Sequence, residues 1–223
     1  MSVGVVLFPG TNCEQDVVEA IRYLGGAAEI VWHGDRRLGA GIDAVVVPGG
    51  FAHGDYLRTG AIARFSPIMS AVQELARDGG PVLGICNGFQ ILCEAGLLPG
   101  ALQKNRGLKF LCTTVNVRVD AGGTAATSLI EPGTQLRLPI NHFEGCYTCS
   151  DATLAELRAD ERVVFRYVEN PNGSIDDIAG VCSAERNVVG LMPHPERASH
   201  ELLGSTDGLR VLASLLSAQS LRR

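Results

Sequence analysis

The sequence has 223 residues, of which 46% are hydrophobic and 19% are charged, and its formal net charge at pH 7 is −5. This composition is typical of a folded globular protein. The length suits one α/β domain, predicted to span residues 1–223. The acidic balance argues against nucleic-acid binding, because phosphate contacts need a basic stripe. The two arginines at positions 222 and 223 are interpreted as a solvated tail.

The sequence shows no feature of a membrane or secreted protein. No stretch approaches the roughly 20 apolar residues of a membrane-spanning helix, and the first residues lack the basic segment and cleavage site of a signal peptide. The seven cysteines are odd in number and scattered, which fits reduced thiols better than a disulfide framework. We therefore expect a cytoplasmic protein.

The first half alternates apolar strands with amphipathic helices. Strands are predicted at residues 3–7, 28–32, 44–47 and 81–85. A first helix is expected after Thr11, which forms a predicted capping box with Glu14. A second begins at Ser66-Pro67, and a third runs through residues 89–95. This alternation predicts a doubly wound, mostly parallel sheet.

After Gly100 the pattern changes to strands separated by turns. Strands are predicted at residues 111–119, 135–140, 163–168, 178–182 and 188–192. Helical spacing returns only near the C-terminus, at Leu209, Leu212, Leu215 and Leu216. We therefore expect a β-rich second half packed onto the parallel sheet, and a last helix that closes the domain.

A candidate nucleophile lies at the junction of a predicted strand and helix, in Gly84-Ile85-Cys86-Asn87-Gly88. This is the cysteine form of the nucleophile elbow, whose sharp turn leaves no room for side chains two positions away. A helix N-terminus favours the thiolate of Cys86, and the N–H of Asn87 would point towards a developing oxyanion. The alternative is a buried structural cysteine between two chance glycines.

A candidate base lies in Met192-Pro193-His194-Pro195-Glu196. The proline after His194 excludes helical geometry at that histidine. In an extended segment Glu196 would lie on the same side as His194 and could reach its imidazole. A carboxylate on one ring nitrogen leaves the other free to take a thiol proton. The alternative is a lone surface histidine in a proline-rich turn.

These two motifs together resemble the class I (triad) glutamine amidotransferases, and the likeness runs over nearly the whole chain. Other segments make the chain similar to the glutaminase subunits of phosphoribosylformylglycinamidine synthases. They are Phe8-Pro9-Gly10-Thr11-Asn12, Val47-Pro48-Gly49-Gly50-Phe51, Gly54-Asp55-Tyr56-Leu57-Arg58 and the continuation of the histidine motif through Arg197. The resemblance implies a flavodoxin-like α/β fold with added strands in the second half.

The resemblance also implies roles for individual residues. Cys86, His194 and Glu196 would form the catalytic triad. The backbone N–H groups of Gly50 and Asn87 would form the oxyanion hole. The implied substrate contacts are Gln90, Asn141, His142 and Phe143, with no metal.

The implied function is hydrolysis of glutamine to glutamate and ammonia. The ammonia would pass to a synthetase that converts formylglycinamide ribonucleotide to formylglycinamidine ribonucleotide with ATP, in purine biosynthesis. The sequence contains no Gly-x-x-x-x-Gly-Lys phosphate loop, so ATP and magnesium are expected on the partner. The implied partners are a large synthetase subunit and a small accessory subunit.

Two other motifs are weaker. Cys146 and Cys149 form one CxxC pair, but zinc usually needs four ligands and a redox pair would open a helix after a first strand. They are interpreted as ordinary cysteines. Residues 39–44 match a dinucleotide fingerprint but precede a strand instead of following one.

Three other functions stay open from the sequence. The chain could be an amidotransferase subunit for another acceptor. It could be a stand-alone cysteine hydrolase acting on peptides or esters, or a non-catalytic subunit that kept the fold. Comparing glutamine with model esters as substrates would separate the first two.

Overall fold

The computed structural model describes residues 1–218, so the two arginines interpreted as a solvated tail lie outside the described residues. The strands are β1 Ser2–Leu7, β2 Ala27–Trp32, β3 Ala44–Val47, β4 Val82–Ile85, β5 Ala101–Gln103, β6 Leu111–Val119, β7 Gln135–His142, β8 Cys146–Thr148, β9 Val163–Tyr167, β10 Ile178–Cys182 and β11 Val188–Leu191. The helices are α1 Glu14–Tyr23, α2 Ile68–Arg77, α3 Asn87–Glu94, α4 Asp151–Ala159 and α5 Gly208–Ser217. None of these helices is long and apolar enough to cross a membrane.

The core of the fold is a nine-stranded sheet in the order β2-β1-β3-β4-β11-β10-β9-β6-β7. The first five strands in this order are parallel to one another. Their arrangement follows the flavodoxin-like order in which the second strand lies outside the first. Every residue of β3, β4 and β11 is buried, as expected for parallel strands with helices on both faces. The predicted doubly wound, mostly parallel sheet is confirmed.

The added strands of the second half extend this same sheet at one edge. β10, β9, β6 and β7 pair antiparallel to their neighbours. They therefore continue the sheet sideways by main-chain hydrogen bonds and do not form a separate layer on its face. The short strands β5 and β8 form a small second sheet, which the sequence analysis did not predict.

The expectation of no helix between residue 100 and Leu209 is wrong. α4 begins after Ser150, whose hydroxyl oxygen accepts a hydrogen bond from the backbone N–H of Thr153 at 3.1 Å. This N-cap satisfies one of the free donors of the first turn. The helix buries only Leu154 and Leu157, so its apolar pattern is too sparse to stand out in the sequence.

The predicted capping box at α1 is also wrong. The hydroxyl of Thr11 accepts a hydrogen bond from the backbone N–H of Phe8 at 3.1 Å, within the turn that follows β1. The residue before the helix is Cys13, which makes no side-chain cap. The turn thus places Cys13 at the end of β1 that faces the site described below.

The carboxyl ends of the parallel strands meet at one edge of the sheet, the usual ligand-binding edge of open α/β folds. Four segments with chemically active groups follow β1, β3, β4 and β11 at this edge. The register pairs Gly84 of β4 with Val47 of β3 and with Gly190 of β11. This pairing brings together residues more than 100 positions apart in sequence.

Candidate active site

The Cys86 thiol lies on a strained turn between β4 and α3. Its backbone has φ 51° and ψ −106°, a combination that costs energy for a residue with a side chain. Cβ atoms at Gly84 and Gly88 would collide with main chain, the first within 2.8 Å of Gly88 and the second against the Val47 carbonyl. The backbone N–H of Cys86 donates to the Leu191 carbonyl at 2.8 Å, which ties the turn to β11.

The His194 imidazole is held beside a carboxylate. Its Nδ1 lies 2.6 Å from Oε1 of Glu196, and both residues are about 1% exposed. His194 itself is extended, at φ −101° and ψ 95°, and its backbone N–H donates to the Pro139 carbonyl at 2.8 Å. Glu196 belongs to a 3₁₀ turn over Pro195–Arg197. The predicted contact is present, but a turn brings the carboxylate to the ring, not an extended segment.

The charges around His194 favour its protonated form. Burial alone would lower the pKa of the imidazole, but the negative charges of Glu196 and Cys86, together with contacts to the sulfurs of Cys13 and Cys86, raise the pKa well above 6.5. Among the described residues, no group forms a well-aligned hydrogen bond with the buried Nε2 atom. The Cys86 sulfur is close enough to interact with the ring. The site can therefore hold a thiolate–imidazolium pair, the reactive form of a cysteine nucleophile.

Two backbone positions next to the thiol are suited to bind an oxyanion. Asn87 is the first residue of α3, so its N–H has no acceptor within the helix. Gly50 has φ 141°, and a Cβ there would lie 2.7 Å from main-chain atoms of Thr11 and Asn12. A side chain at position 50 would push apart the turns that follow β1 and β3.

A cavity of about 130 Å³ opens beside the thiol. Its lining residues are Gly50, Phe51, Asp55, Thr59, Cys86, Gln90, Asn141, His142, Phe143 and Glu144. The Cys86 Sγ lies 3.7 Å from the Asn141 carbonyl oxygen. Six of the residues predicted for the site line this cavity, namely Gly50, Cys86, Gln90, Asn141, His142 and Phe143. Asn87, His194 and Glu196 are not among its lining residues.

The ring of His142 is fixed in one tautomer. The Asn105 amide donates to the carbonyls of Lys109 and His142 at 2.9 and 3.0 Å, so its oxygen faces the His142 Nδ1 at 3.1 Å and accepts its proton. Burial and the charge of His194 lower the pKa of His142 to about 4. The ring is therefore neutral at pH 7, and its Nε2 is a buried acceptor with no partner among the described residues.

A chain of amides connects the loop after β3 to the cavity. The Asn87 side chain accepts from the backbone N–H of Ala52 at 3.0 Å and donates to Gln90 Oε1 at 2.8 Å and to Asp55 at 3.4 Å. Gln90 in turn donates to the carbonyl oxygen of Glu144. Burial and the neighbouring Glu144 charge raise the pKa of Asp55 to about 6. Asp55 lies in one of the segments that carry the family resemblance, but no role was predicted for it.

Cys13 lies beside the His194–Glu196 pair and was not predicted as part of the site. Its Sγ accepts a hydrogen bond from Arg197 Nη2 at 3.1 Å, and its ligand atom lies within 4.8 Å of those of His194 and Glu196. Such a group could hold a metal ion, but the Arg197 guanidinium opposes a second cation there. Cys13 could have been found only from its place after β1, at the same edge of the sheet as Cys86.

A larger cavity of about 670 Å³ lies on the other side of Glu196, along α1, between Asp16, Tyr23 and Leu202. It does not contain the thiol, so the smaller cavity is the candidate substrate site. All seven cysteines, including Cys146 and Cys149, are unpaired.

The chain is similar to proteins of known family over almost its whole length. A family model described as the CobB/CobQ-like glutamine amidotransferase domain matches residues 1–208. A protein from Rubrobacter xylanophilus called phosphoribosylformylglycinamidine synthase subunit PurQ is 58% identical over 97% of this chain and 98% of its own. One of the same name from Koribacter versatilis is 53% identical over 100% of both chains. A chain in the structure of PurLQS from Thermotoga maritima matches with a TM-score of 0.89 and 42% identity, over 97% of each chain.

Proposed function

We propose that this chain, which belongs to the CobB/CobQ-like glutamine amidotransferase family, is the glutaminase subunit of a phosphoribosylformylglycinamidine synthase. The observation that carries the proposal is the strained thiol turn of Cys86 beside the buried His194–Glu196 pair. Two relatives that are 58% and 53% identical to this chain over nearly its full length are called subunits of this synthase. The chain hydrolyses glutamine to glutamate and ammonia. The synthetase uses the ammonia and ATP to convert formylglycinamide ribonucleotide to formylglycinamidine ribonucleotide.

In the proposed mechanism, the Cys86 thiolate attacks the side-chain amide carbon of glutamine. The backbone N–H groups of Gly50 and Asn87 stabilise the negative charge that develops on the amide oxygen. The protonated His194 donates its Nε2 proton to the leaving nitrogen, and ammonia departs as a thioester forms. His194, now neutral, takes a proton from water, which hydrolyses the thioester and releases glutamate. Glu196 keeps the ring oriented through Nδ1 in both steps.

The proposed substrate contacts are Gln90, Asn141, His142 and Phe143, which line the cavity beside the thiol. The neutral Nε2 of His142 offers a buried lone pair, and glutamine carries N–H donors at both of its ends. A lone pair with no partner in an otherwise hydrogen-bonded pocket is costly unless a ligand satisfies it. No resident metal or cofactor is assigned to this chain, and ATP and magnesium are assigned to the synthetase.

The proposed partners are a large synthetase subunit and a small accessory subunit, by analogy with PurLQS of Thermotoga maritima. The surface proposed to meet them surrounds the mouth of the cavity, where Phe51, Tyr56 and Leu57 expose apolar side chains. Exposed apolar groups of this kind mark interaction sites on protein surfaces. We also propose that the complex works in the cytoplasm, where the free thiols would stay reduced.

The test is the Cys86→Ser variant, assembled with its synthetase and accessory subunits. A serine hydroxyl is nearly the same size as the thiol but is far less acidic, so glutamine-dependent synthesis should be abolished. Synthesis from added ammonium chloride should continue at the wild-type rate, because that route bypasses the thiol. A variant that still hydrolyses glutamine near the wild-type rate would contradict the proposal, as would a wild-type complex that makes no formylglycinamidine ribonucleotide.

A further inference from the structure

Two carboxylates at the cavity beside Cys86 form no ion pair with any residue in the described part of the chain. Asp55 follows the Gly50 turn, and Glu144 follows β7. Both line the cavity, and they lie close enough for the charge of Glu144 to act on Asp55. Among the described residues, neither belongs to an ion pair: the arginine of the same loop, Arg58, binds Glu94 instead, at 2.6 Å. Two neighbouring carboxylates without a counter-ion repel each other, so the pair is suited to receive a positive charge.

The side-chain contacts of the two acids leave acceptor capacity free. Asp55 Oδ1 accepts one long hydrogen bond, from the Asn87 amide at 3.4 Å. Glu144 Oε2 accepts one from the Thr59 hydroxyl at 2.9 Å. A carboxylate has about four lone-pair sites. Each acid is thus held in place by one neutral donor and can still accept from a ligand.

A second, independent feature of the same cavity also points to a donor ligand. The Nε2 atom of His142 is buried, its residue is 4% exposed, and it has no hydrogen-bond partner among the described residues. The Asn105 contact fixes this nitrogen as an acceptor. The cavity therefore presents three acceptor side chains around the approach to the thiol, from Asp55, Glu144 and His142.

We propose that Asp55 and Glu144 form the subsite that binds the α-ammonium group of glutamine. The inference rests on the proposed function and adds to it the group that recognises the amino-acid end of the substrate. With the side-chain amide carbon at Cys86, the other end of glutamine carries one ammonium and one carboxylate. Asp55 and Glu144 attract the ammonium and repel the carboxylate, so they determine which of the two groups turns towards the loop after β3.

The Asn87–Gln90 amide chain explains how this subsite is kept in register with the chemistry. Asn87 starts the helix whose N-terminus faces the oxyanion, and its side chain holds Asp55. Gln90 lies one turn later and holds the main chain at Glu144. The ammonium subsite and the thiol are therefore held by the same helix, so the distance between them is fixed. This distance suits a substrate whose amide carbon reaches Cys86 when its ammonium group is bound.

The experiment compares glutamine with 4-carbamoylbutanoate, which is glutamine without its α-amino group. The KM and kcat for glutamine and the inhibition constant of 4-carbamoylbutanoate are measured on the whole complex, with wild-type subunit, Asp55→Asn and Glu144→Gln. The control is Asp78→Asn, which removes an exposed carboxylate just after α2, at the opposite edge of the sheet. Binding of the synthetase subunit is titrated for each variant.

The subsite predicts a selective effect. Losing a hydrogen bond to a charged group typically weakens binding by about tenfold or more, so the KM for glutamine should rise by that factor in Asp55→Asn. The inhibition constant of 4-carbamoylbutanoate should be unchanged, since it has no ammonium to lose, and kcat should change little. Glu144→Gln should act in the same direction and decides the question if Asp55→Asn fails to assemble. The control should match the wild type in every measurement.

Three outcomes would overturn the subsite. The first is an unchanged KM in both variants. The second is an equal loss of glutamine and 4-carbamoylbutanoate binding, which would make the acids structural. The third is weaker binding of the synthetase subunit at unchanged KM, which would mean that a cationic side chain of the partner occupies the acids. A wild-type complex without glutaminase activity would instead overturn the proposed function.

Discussion

Nδ1 of His194 and Oε1 of Glu196 lie 2.6 Å apart in a region where both residues are almost fully buried. The two residues are separated in sequence only by Pro195, which begins the turn that points the carboxylate back at the ring. A buried carboxylate needs hydrogen-bond partners, and here the imidazole is the partner.

The first prediction concerns the relative importance of the two residues. His194→Ala removes the proton donor and acceptor, and general acid–base catalysis is typically worth about 10²–10⁴-fold in rate, so kcat/KM for glutamine should fall by a factor in that range. Glu196→Gln should lose less, because an amide can still hydrogen-bond the ring but cannot stabilise its positive charge. Glu74→Gln on the exposed side of α2 serves as a matched control. Turnover comparable to wild type in His194→Ala would remove this histidine from the mechanism.

The second prediction concerns the protonation of His194. Burial lowers the pKa of this imidazole, and the Glu196 charge is the largest of the opposing contributions that raise it, so Glu196→Gln should lower the pKa of His194. In the wild type, the stability gained from charging His194 is fully present below about pH 6.5, the unfolded value. It is lost as pH rises through the raised folded pKa, and in the variant that loss should begin at lower pH. An NMR titration of the ¹³C-labelled histidine Cε1 resonances measures the pKa of His194 in both proteins. The His194 resonance is assigned by its absence in His194→Ala. An identical His194 titration in the two would show that Glu196 does not set the charge.

The third prediction concerns activity in mild acid. The pKa of Asp55 is raised to about 6, first by burial and then by the Glu144 charge, against a smaller opposing effect of Asn87. Below that pH the carboxyl gains a proton and loses its attraction for an ammonium group, so the KM for glutamine should rise as pH falls through 6. The other titratable groups around it are Glu144, Cys86 and His142, and they remain in Asp55→Asn. That variant should have a high KM that no longer changes across this range. If the KM of the variant still changed with pH at the same inflection point, the inflection would belong to a group other than Asp55.

The fourth prediction concerns stimulation by the partner. The loop after Gly50 carries Leu57, which is 92% exposed, while its base is held by the hydrogen bond of Ala52 to Asn87 and by the Arg58–Glu94 ion pair. A partner that covers Leu57 would press on the segment next to Gly50. Losing one oxyanion donor can cost roughly 10²–10³ in rate, so a misdirected Gly50 N–H would be enough to keep the free subunit slow.

The measurement is steady-state glutamine hydrolysis by the subunit alone and with its partners and their substrates. The wild type should be a poor glutaminase alone and should be stimulated in the complex, and Leu57→Ser should lose part of that stimulation. Leu202→Ser is the matched control, since Leu202 is 90% exposed beside the other cavity. Equal rates with and without partners would refute control of the Gly50 N–H by the partner, and would not contradict the proposed roles of Cys86, His194 and Glu196.

The local sequence was sufficient to predict features that depend on neighbouring residues. Glycines two positions on either side of Cys86 predict the elbow because the turn geometry excludes their side chains. Prolines on both sides of His194 predict an extended backbone at that residue, and the contact with Glu196 is present, although a turn over Pro195–Arg197 makes it. The strands β3, β4 and β11 could be read from short runs of buried apolar residues. The family resemblance then assigned the remaining site residues to single positions.

Only the tertiary structure decided how distant segments meet. The pairing of β11 with β4 brings His194 to Cys86 across more than 100 residues, and no local pattern encodes that register. The same convergence at one edge of the sheet places Cys13 next to Glu196 and Asp55 near Glu144. It also allows Thr59 to hydrogen-bond Glu144, which is 85 positions away in the sequence. The charge and hydrogen-bonding state of these groups depends on what packs around them. Burial and neighbouring charge, which set each pKa, exist only once the chain has folded.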